Sequence, residues 1–372
     1  KKYFSGSSPP EIFVGRYGYP NVNTGILSPQ EHGQTEDYSL PEEWHKKNFD
    51  IKRILGLRGK LIYGRFKSNI KDPRKQKKFL EVMQEVSLAK KHVDTEFFLK
   101  KKPKQELNIN SKSPVIGNPA PLKKARLEEN PKVNKKAEYI SYDTDAKANT
   151  AMKELYEGKV PVSNITKVLS AGLLGRKKDR KLVPTRWSIT ATDSNLSNLL
   201  LDRIRYYQEI NQIQLFHSEY LGNHYEILLI PNKFAFEVLE AKMSGSVWNP
   251  SNKTPVMKDY EGFNGRKYYA KEVTGAYYAN RLALAEYLEK KERQASCLFM
   301  REVRPEYYAP CGVGILREAS RDAFNKKPET FDTVKEALTR AEKRLKLPVN
   351  TFKQKSWLLN EHQKQKRLNE WF

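Results

Sequence analysis

Cysteine is scarce in this sequence. Cys297 and Cys311 are the only two, which excludes a disulfide framework and a Cys-based zinc site and fits a reducing compartment. No apolar run approaches the ~18 residues a membrane helix needs, and no signal peptide opens the chain. The expectation is a soluble protein of the cytoplasm. The six histidines, at 32, 45, 92, 217, 224 and 362, are not spaced as metal ligands, and HExxH is missing. There is no GxSxG elbow and no Walker loop. Gly15-Arg16-Tyr17-Gly18 and Gly312-Val313-Gly314 are too short for dinucleotide fingerprints. No internal repeat is present, and the sequence opens on Lys1 rather than Met.

Positive charge is abundant. Lys and Arg number 68 against 44 Asp and Glu, a formal charge of +24 and a pI near 9.7. With 38% apolar residues the chain has enough hydrophobic side chain for a packed core, so the excess belongs to a folded surface, where it favours polyanionic partners. A solvated Lys-rich surface is the plainer alternative.

Patterning predicts an α+β (mixed α/β) protein in four parts. Residues 1–99 form a Gly/Pro-rich N-terminal portion with a short strand at 12–14 and a helix from Asp72-Pro73 to about Lys91. Residues 100–136 carry eleven Lys or Arg, three acids and prolines at 103, 114, 119 and 121, which reads as a basic linker or surface loop. Residues 137–347 form the larger mixed core. Its strands are expected at 182–191, 225–230, 234–239 and 296–303, and its helices at 195–210 and from Thr274 to about Ala295. Residues 348–372 make a C-terminal helix and tail.

Several arginines stand among aromatics or turn residues: Arg16, Arg65, Arg186 beside Trp187, Arg281, Arg301, Arg304 and Arg317. Guanidinium groups clamp phosphates and stack on bases, or each pairs with a nearby carboxylate such as Glu302 or Glu318. Asp193, Glu226, Glu286, Glu302, Glu318 and Asp322 would be the carboxylates of a metal-dependent nuclease, with Mg²⁺ or Mn²⁺ as cofactor. A cavity lined by Arg and Gly near 6–18 and 180–190 would instead suit a group-transfer enzyme with a nucleotide cofactor. Cys311 is read as a packed thiol.

The final eight residues, Gln365-Lys366-Arg367-Leu368-Asn369-Glu370-Trp371-Phe372, follow Q-x-x-aliphatic-x-x-aromatic-aromatic, the docking peptide of DNA sliding clamps (the PIP-box). One tight turn would gather Leu368, Trp371 and Phe372 into an apolar plug, with Gln365 at its rim. A random match at one position has odds on the order of one in ten thousand, so the pattern is informative.

With tail and loops together, the sequence resembles the archaeal Nre DNA-repair proteins. The matching stretches are Gly6 to Pro20, Leu122-Lys123-Lys124 through Val133, Arg180 to Thr190, Gly275 to Ala279, and Arg301-Glu302. The resemblance implies repair of DNA damage, with the tail binding the archaeal clamp PCNA. The candidate DNA contacts are Arg16, Arg65, Lys123, Lys124, Arg186, Arg281 and Arg317, on an intracellular, nucleoid-associated protein. Family members commonly carry a four-cysteine, zinc-finger-like cluster ahead of the Gly-Ser-Ser-Pro-Pro segment. This sequence begins at that segment, and no zinc site is assigned to it. The resemblance supplies no reaction and leaves the catalytic residues unknown.

Overall fold

The computed structural model describes residues 2–75, 77–104 and 114–364. The chain divides into two compact units, Lys1–Leu196 and Ser197–Phe372, each an α+β arrangement around its own sheet. Among the described residues no helix is long and apolar enough to cross a membrane.

The first unit runs β1 (Tyr3–Ser8), β2 (Ile12–Val14), β3 (Asn21–Ser28), α1 (Pro41–Lys46), α2 (Ile51–Lys60), β4 (Ile62–Asn69), α3 (Lys78–Leu88), β5 (Val93–Leu99), β6 (Asn118–Leu127), α4 (Lys135–Tyr142), α5 (Ala148–Glu157), α6 (Val162–Ser170) and α7 (Thr185–Ile204). The division between units falls inside α7. Its sheet has the order β1-β5-β6-β4-β3-β2, antiparallel except for β4 with β6. Leu80, Met83 and Val86 of α3 share one helical face. They join Ile12, Val22, Ile26, Phe97 and Leu122 in the core, as i, i+3 spacing predicts. Gly6 permits a close approach in this sheet, because a Cβ there would meet the Pro29 carbonyl oxygen at 2.0 Å.

Two expectations fail in this unit. Within the basic segment 100–136 the described residues 118–127 are not a linker, because they form β6, which lies inside the sheet between β5 and β4. Ala120, Leu122 and Ala125 are buried while Lys123 and Lys124 are exposed, so the strand carries a hydrophobic face beneath its charge. Prolines 119 and 121 suggest a loop because they lack an N–H. They stand where β6 pairs with β4, before it switches to β5 at Leu122, and the Pro121 carbonyl still accepts from Lys100 N–H at 2.8 Å. The boundaries at 99/100 and 136/137 therefore give way to one between Leu196 and Ser197. Residues 185–191, expected as strand, begin α7. Their β-branched and aromatic content imitates a strand, but Trp187 N–H and Ser188 N–H both donate to the Pro184 carbonyl, and proline at a helix start is favoured.

The second unit runs β7 (Gln208–Glu209), β8 (Ile213–Tyr220), β9 (Asn223–Ile230), β10 (Ala235–Lys242), β11 (Val256–Glu261), α8 (Gly275–Lys291), β12 (Arg293–Gln294), β13 (Ser296–Val303), α9 (Gly314–Asn325), β14 (Glu329–Phe331), α10 (Val334–Glu342), α11 (Val349–Lys353) and α12 (Trp357–Lys364). The main sheet is β11-β10-β13-β9-β8-β14, with β10 and β13 parallel. Every residue of β9 and β13 is buried, which is the pattern of strands covered on both faces. Leu228, Ile230, Leu298 and Met300 pack with Leu338, Phe352 and Leu358 of α10–α12. On the other face Phe299 and Phe236 meet Phe324 of α9 and Tyr277 of α8.

Helix α12 leads towards the tail and is fixed by one carboxylate. Glu237 of β10 is fully buried and accepts from Ser356 Oγ at 2.6 Å, Trp357 N–H at 2.8 Å and Leu358 N–H at 3.0 Å. Burial pushes its carboxyl up, against the opposing pull of these donors. A carboxylate placed at the free amides of a helix start complements both the amides and the helix dipole. Glu237→Ala leaves three donors without a partner and is expected to destabilise the protein by about 2–3 kcal/mol. Thermal melting checks this, and a fall of about 5–10 °C is the expected result.

Candidate nucleic-acid interface

Three stretches distant in sequence meet in the first unit. The β2–β3 hairpin turns over residues 15–20: Asn21 N–H donates to the Gly18 carbonyl at 2.8 Å, and Gly18 adopts φ +79°, a conformation open to glycine. The turn leaves Arg16, Tyr17 and Tyr19 on the surface. Val14 N–H donates to Thr185 Oγ1 at 2.9 Å, which brings the start of α7 beside the turn. The Tyr19 and Trp187 rings then lie 5.5 Å apart. Ile70 ties in the end of β4: its N–H donates to the Pro20 carbonyl at 2.9 Å, and its own carbonyl accepts from Leu182 N–H at 2.8 Å. Arg74 Nε–H adds a bond to the Arg180 carbonyl, also 2.9 Å.

The face assembled in this way is positive and aromatic. Residues 14–24, 65–75 and 180–190 contain nine Lys or Arg and one acid, Asp72. Asp72 is buried and occupied by Lys77 Nζ at 2.7 Å, Ser68 Oγ at 2.7 Å and Asn69 N–H at 2.8 Å. Burial alone would raise its carboxyl pKa, but these partners outweigh burial and lower it. Arg180 is the exception among the cations. It is buried and donates to the carbonyls of Gly175, Ser141 and Asp143, so it braces the scaffold. Arg16, Lys71, Arg74, Lys181 and Arg186 are exposed, and Tyr17, Tyr19 and Trp187 are 78%, 46% and 46% exposed. Arg16 stands 5.3 Å from the centre of the Tyr17 ring. Underneath, Glu11 holds Lys167 at 2.9 Å and Arg58 at 3.6 Å.

Arg16 and Arg186 are thus brought together, and Arg65 is half-buried on β4. Lys123 and Lys124 are exposed on β6, where Lys124 lies 5.7 Å from the Phe98 ring of β5, towards the other end of the sheet. Arg281 and Arg317 are not surface contacts. Both are in the second unit and buried, at 3% and 2% exposure, and Arg281 is paired with Glu261 at 2.8 Å and with Ser197 Oγ at 3.1 Å. Arg301 is likewise enclosed by Glu240 and Asn223, and Arg304 by Glu302 and Glu219. Gln365, Leu368, Trp371 and Phe372 lie outside the described residues.

The carboxylates singled out for a nuclease are engaged separately. Glu226 grips Arg344 through both oxygens at 2.8 Å, Glu286 and Glu318 share Arg321, and Asp322 pairs with Lys326. Among the described residues the group suited to a metal ion is instead His32, Asp94 and Glu128, with donor atoms within 4.8 Å of one another. Ser7 and Ser5 hydroxyls donate to the two carboxylates. The Ser7 bond, followed by His32, lowers the Asp94 carboxyl pKa. Cys297 and Cys311 are buried, and burial raises the Cys297 thiol, so neither is set up as a nucleophile. Sequence reasoning missed Lys71, Arg74 and Lys181, although a basic residue at each end of a Pro- or Asp-marked turn was a visible signal.

Two family models match the chain: archaeal Nre, N-terminal, over residues 1–249, and archaeal Nre, C-terminal, over residues 261–371. A protein called DNA repair protein NreB from Archaeoglobus fulgidus is 39% identical over 354 residues, 95% of this chain and 88% of its own length. DNA repair protein NreA of the same organism is 37% identical, covering 91% and 84%. NreA of Haloferax volcanii is 34% identical, covering 94% and 85%. No solved structure matches the chain.

The Asp72 bonds beneath this face carry a pH signature. A carboxyl whose folded pKa is depressed contributes stability that is fully present above its unfolded pKa, near 3.9, and is lost as pH falls through the lower folded value. Asp72→Asn is expected to lose about 1–2 kcal/mol at pH 7. The gap to wild type should narrow as pH falls below about 4, the unfolded value. Denaturant titrations of both proteins at pH 7 and at successively lower pH measure it.

Proposed function

This chain belongs to the archaeal Nre family of DNA repair proteins, and we propose that it binds DNA through the Tyr19–Trp187 face while Gln365–Phe372 docks on the sliding clamp, PCNA. The observation that carries the DNA contact is the convergence of the hairpin turn, the end of β4 and the start of α7, with exposed Arg and aromatic side chains and the one acid already neutralised. Arg16 and Arg186 supply forked donors for phosphates, and Trp187 and Tyr19 supply faces for bases. These aromatics are open to solvent, as suits a polymer lying across a surface rather than a small cofactor enclosed in a cavity. Clamp tethering replaces a bimolecular search by a local effective concentration, so modest DNA affinity suffices. On this reading the protein works inside the cell, at the nucleoid. The alternative of a metal-dependent nuclease has the His32–Asp94–Glu128 group in its favour. Incubation of labelled branched, single-stranded and duplex DNA with Mg²⁺ or Mn²⁺ tests it, and cleavage would make the protein an enzyme.

The triple variant Arg16→Ala, Arg186→Ala, Trp187→Ala is expected to weaken DNA binding at least about tenfold, and wild-type affinity should fall by at least about tenfold between 50 and 200 mM salt. Fluorescence anisotropy measures both. A flat salt response, or full affinity in the variant, removes this face from DNA binding.

For the tail, Trp371→Ala with Phe372→Ala should reduce clamp affinity by a factor of at least about thirty. DNA affinity and melting temperature should stay unchanged. Calorimetric titration against the clamp decides it, and equal affinity would refute the docking role. A large fall in melting temperature would assign the two aromatics to the core instead.

A further inference from the structure

The edge strand β11 and the loop after it build a second aromatic and basic surface, contained wholly in the second unit. A shallow cavity of about 300 Å³ is lined by Lys258, Asp259, Tyr260, Arg266, Lys267 and Tyr268. Its acid is already occupied. Asp259 takes Arg266 at 2.9 Å through one oxygen, and Glu272 N–H at 3.0 Å and Val273 N–H at 2.7 Å through the other. Arg266 is equally committed: it donates to the Tyr268 carbonyl at 2.8 Å and lies 4.8 Å from the Tyr277 ring centre. The loop is therefore braced from within. What it offers outward are Lys267 and two tyrosine rings, while half-buried Lys258 donates from Nζ to the Lys355 carbonyl at 3.1 Å.

Those rings differ in kind. Tyr260 is 42% exposed and stacked against Trp357, with centroids 4.6 Å apart and planes 20° from parallel. Trp357 is itself held by Glu237, directly opposite Tyr260 in the β10–β11 register. Tyr268 is 78% exposed on the braced loop, so its ring projects into solvent with nothing of its own to cover. Lys267 is exposed beside it, and Lys258 Nζ lies 5.7 Å from the Tyr260 ring centre.

We infer that this cavity takes unpaired DNA nucleotides, a base stacking on Tyr268 or Tyr260 and its flanking phosphate meeting Lys267. A flat aromatic face recognises a base only when that base is unstacked, and a lysine at its margin follows the backbone without reading sequence. The volume is at the small end of ligand sites, fitting one or two nucleotides and excluding a duplex. A duplex keeps its base faces covered and needs a longer track of phosphate contacts. The inference names the DNA form preferred by the protein and so rests on the DNA-binding reading, but it uses residues of the other unit and can fail separately.

The experiment uses the full chain and anisotropy with labelled oligonucleotides, single-stranded and duplex, at low salt. Lys267→Ala with Tyr268→Ala should weaken single-strand binding about tenfold, from the loss of one stacked base and one phosphate partner, and leave duplex binding within about twofold. Tyr268→Phe, which keeps the ring, should bind single strands like wild type. Unchanged single-strand affinity in the double variant overturns this inference while leaving the DNA-binding reading intact. Equal losses on single strands and duplex overturn the preference for unpaired nucleotides. Absence of binding to either form by the wild-type protein overturns both readings.

Discussion

A chain with 24 more cations than acids must decide which positive groups to neutralise and which to leave in water, and both units are organised by that constraint. Charges of one sign repel over several ångströms wherever the dielectric is low, and an unpaired guanidinium in a core is costlier than any single packing defect. Buried guanidiniums are accordingly given partners, carboxylates in the second unit and three backbone carbonyls for Arg180 in the first. In the second unit Glu226, Glu240, Glu261 and Glu302 each enclose a guanidinium. Removing one partner of such a pair would strand a buried charge, a loss of about 3–5 kcal/mol.

The stretches 14–24, 65–75 and 180–190 hold nine cations and a single acid. In the first unit the hairpin turn, the end of β4 and the start of α7 bring arginine and lysine to one face because two backbone bonds, through Ile70 to Pro20 and Leu182, and one from Val14 N–H to the Thr185 hydroxyl fasten these segments together. The nearest acid in sequence, Asp72, anchors the turn and is already paired with Lys77. The aromatic groups on that face are surface residues, so they are available to a partner at little reorganisation.

The second unit handles its aromatics in the same way at β11. A buried carboxylate, Glu237, orders the start of α12, and the first residue of that helix supports Tyr260. One chain of contacts thus joins the sheet, the tyrosine-lined cavity and α12.

Much was legible in the sequence alone: the α+β class, the face of α3, the strands β2 and β13, the cation excess, and the family through Gly6–Pro20 and Arg180–Thr190. Hydrophobic period and turn chemistry are local, so they survive in a linear reading. Local signals misled where two of them competed. Prolines concealed the half-buried strand β6, and a β-branched run concealed the first turn of α7. Only the tertiary structure decided which arginines face solvent. Arg281 and Arg186 look alike in sequence, each beside aromatic or small residues. Yet Glu261 buries the first, while the second stands free of the core beside Trp187. The physical reason is that an ion pair is chosen by space and not by spacing: Glu226 and Arg344 meet across 118 residues, a distance at which no periodicity in the chain carries information.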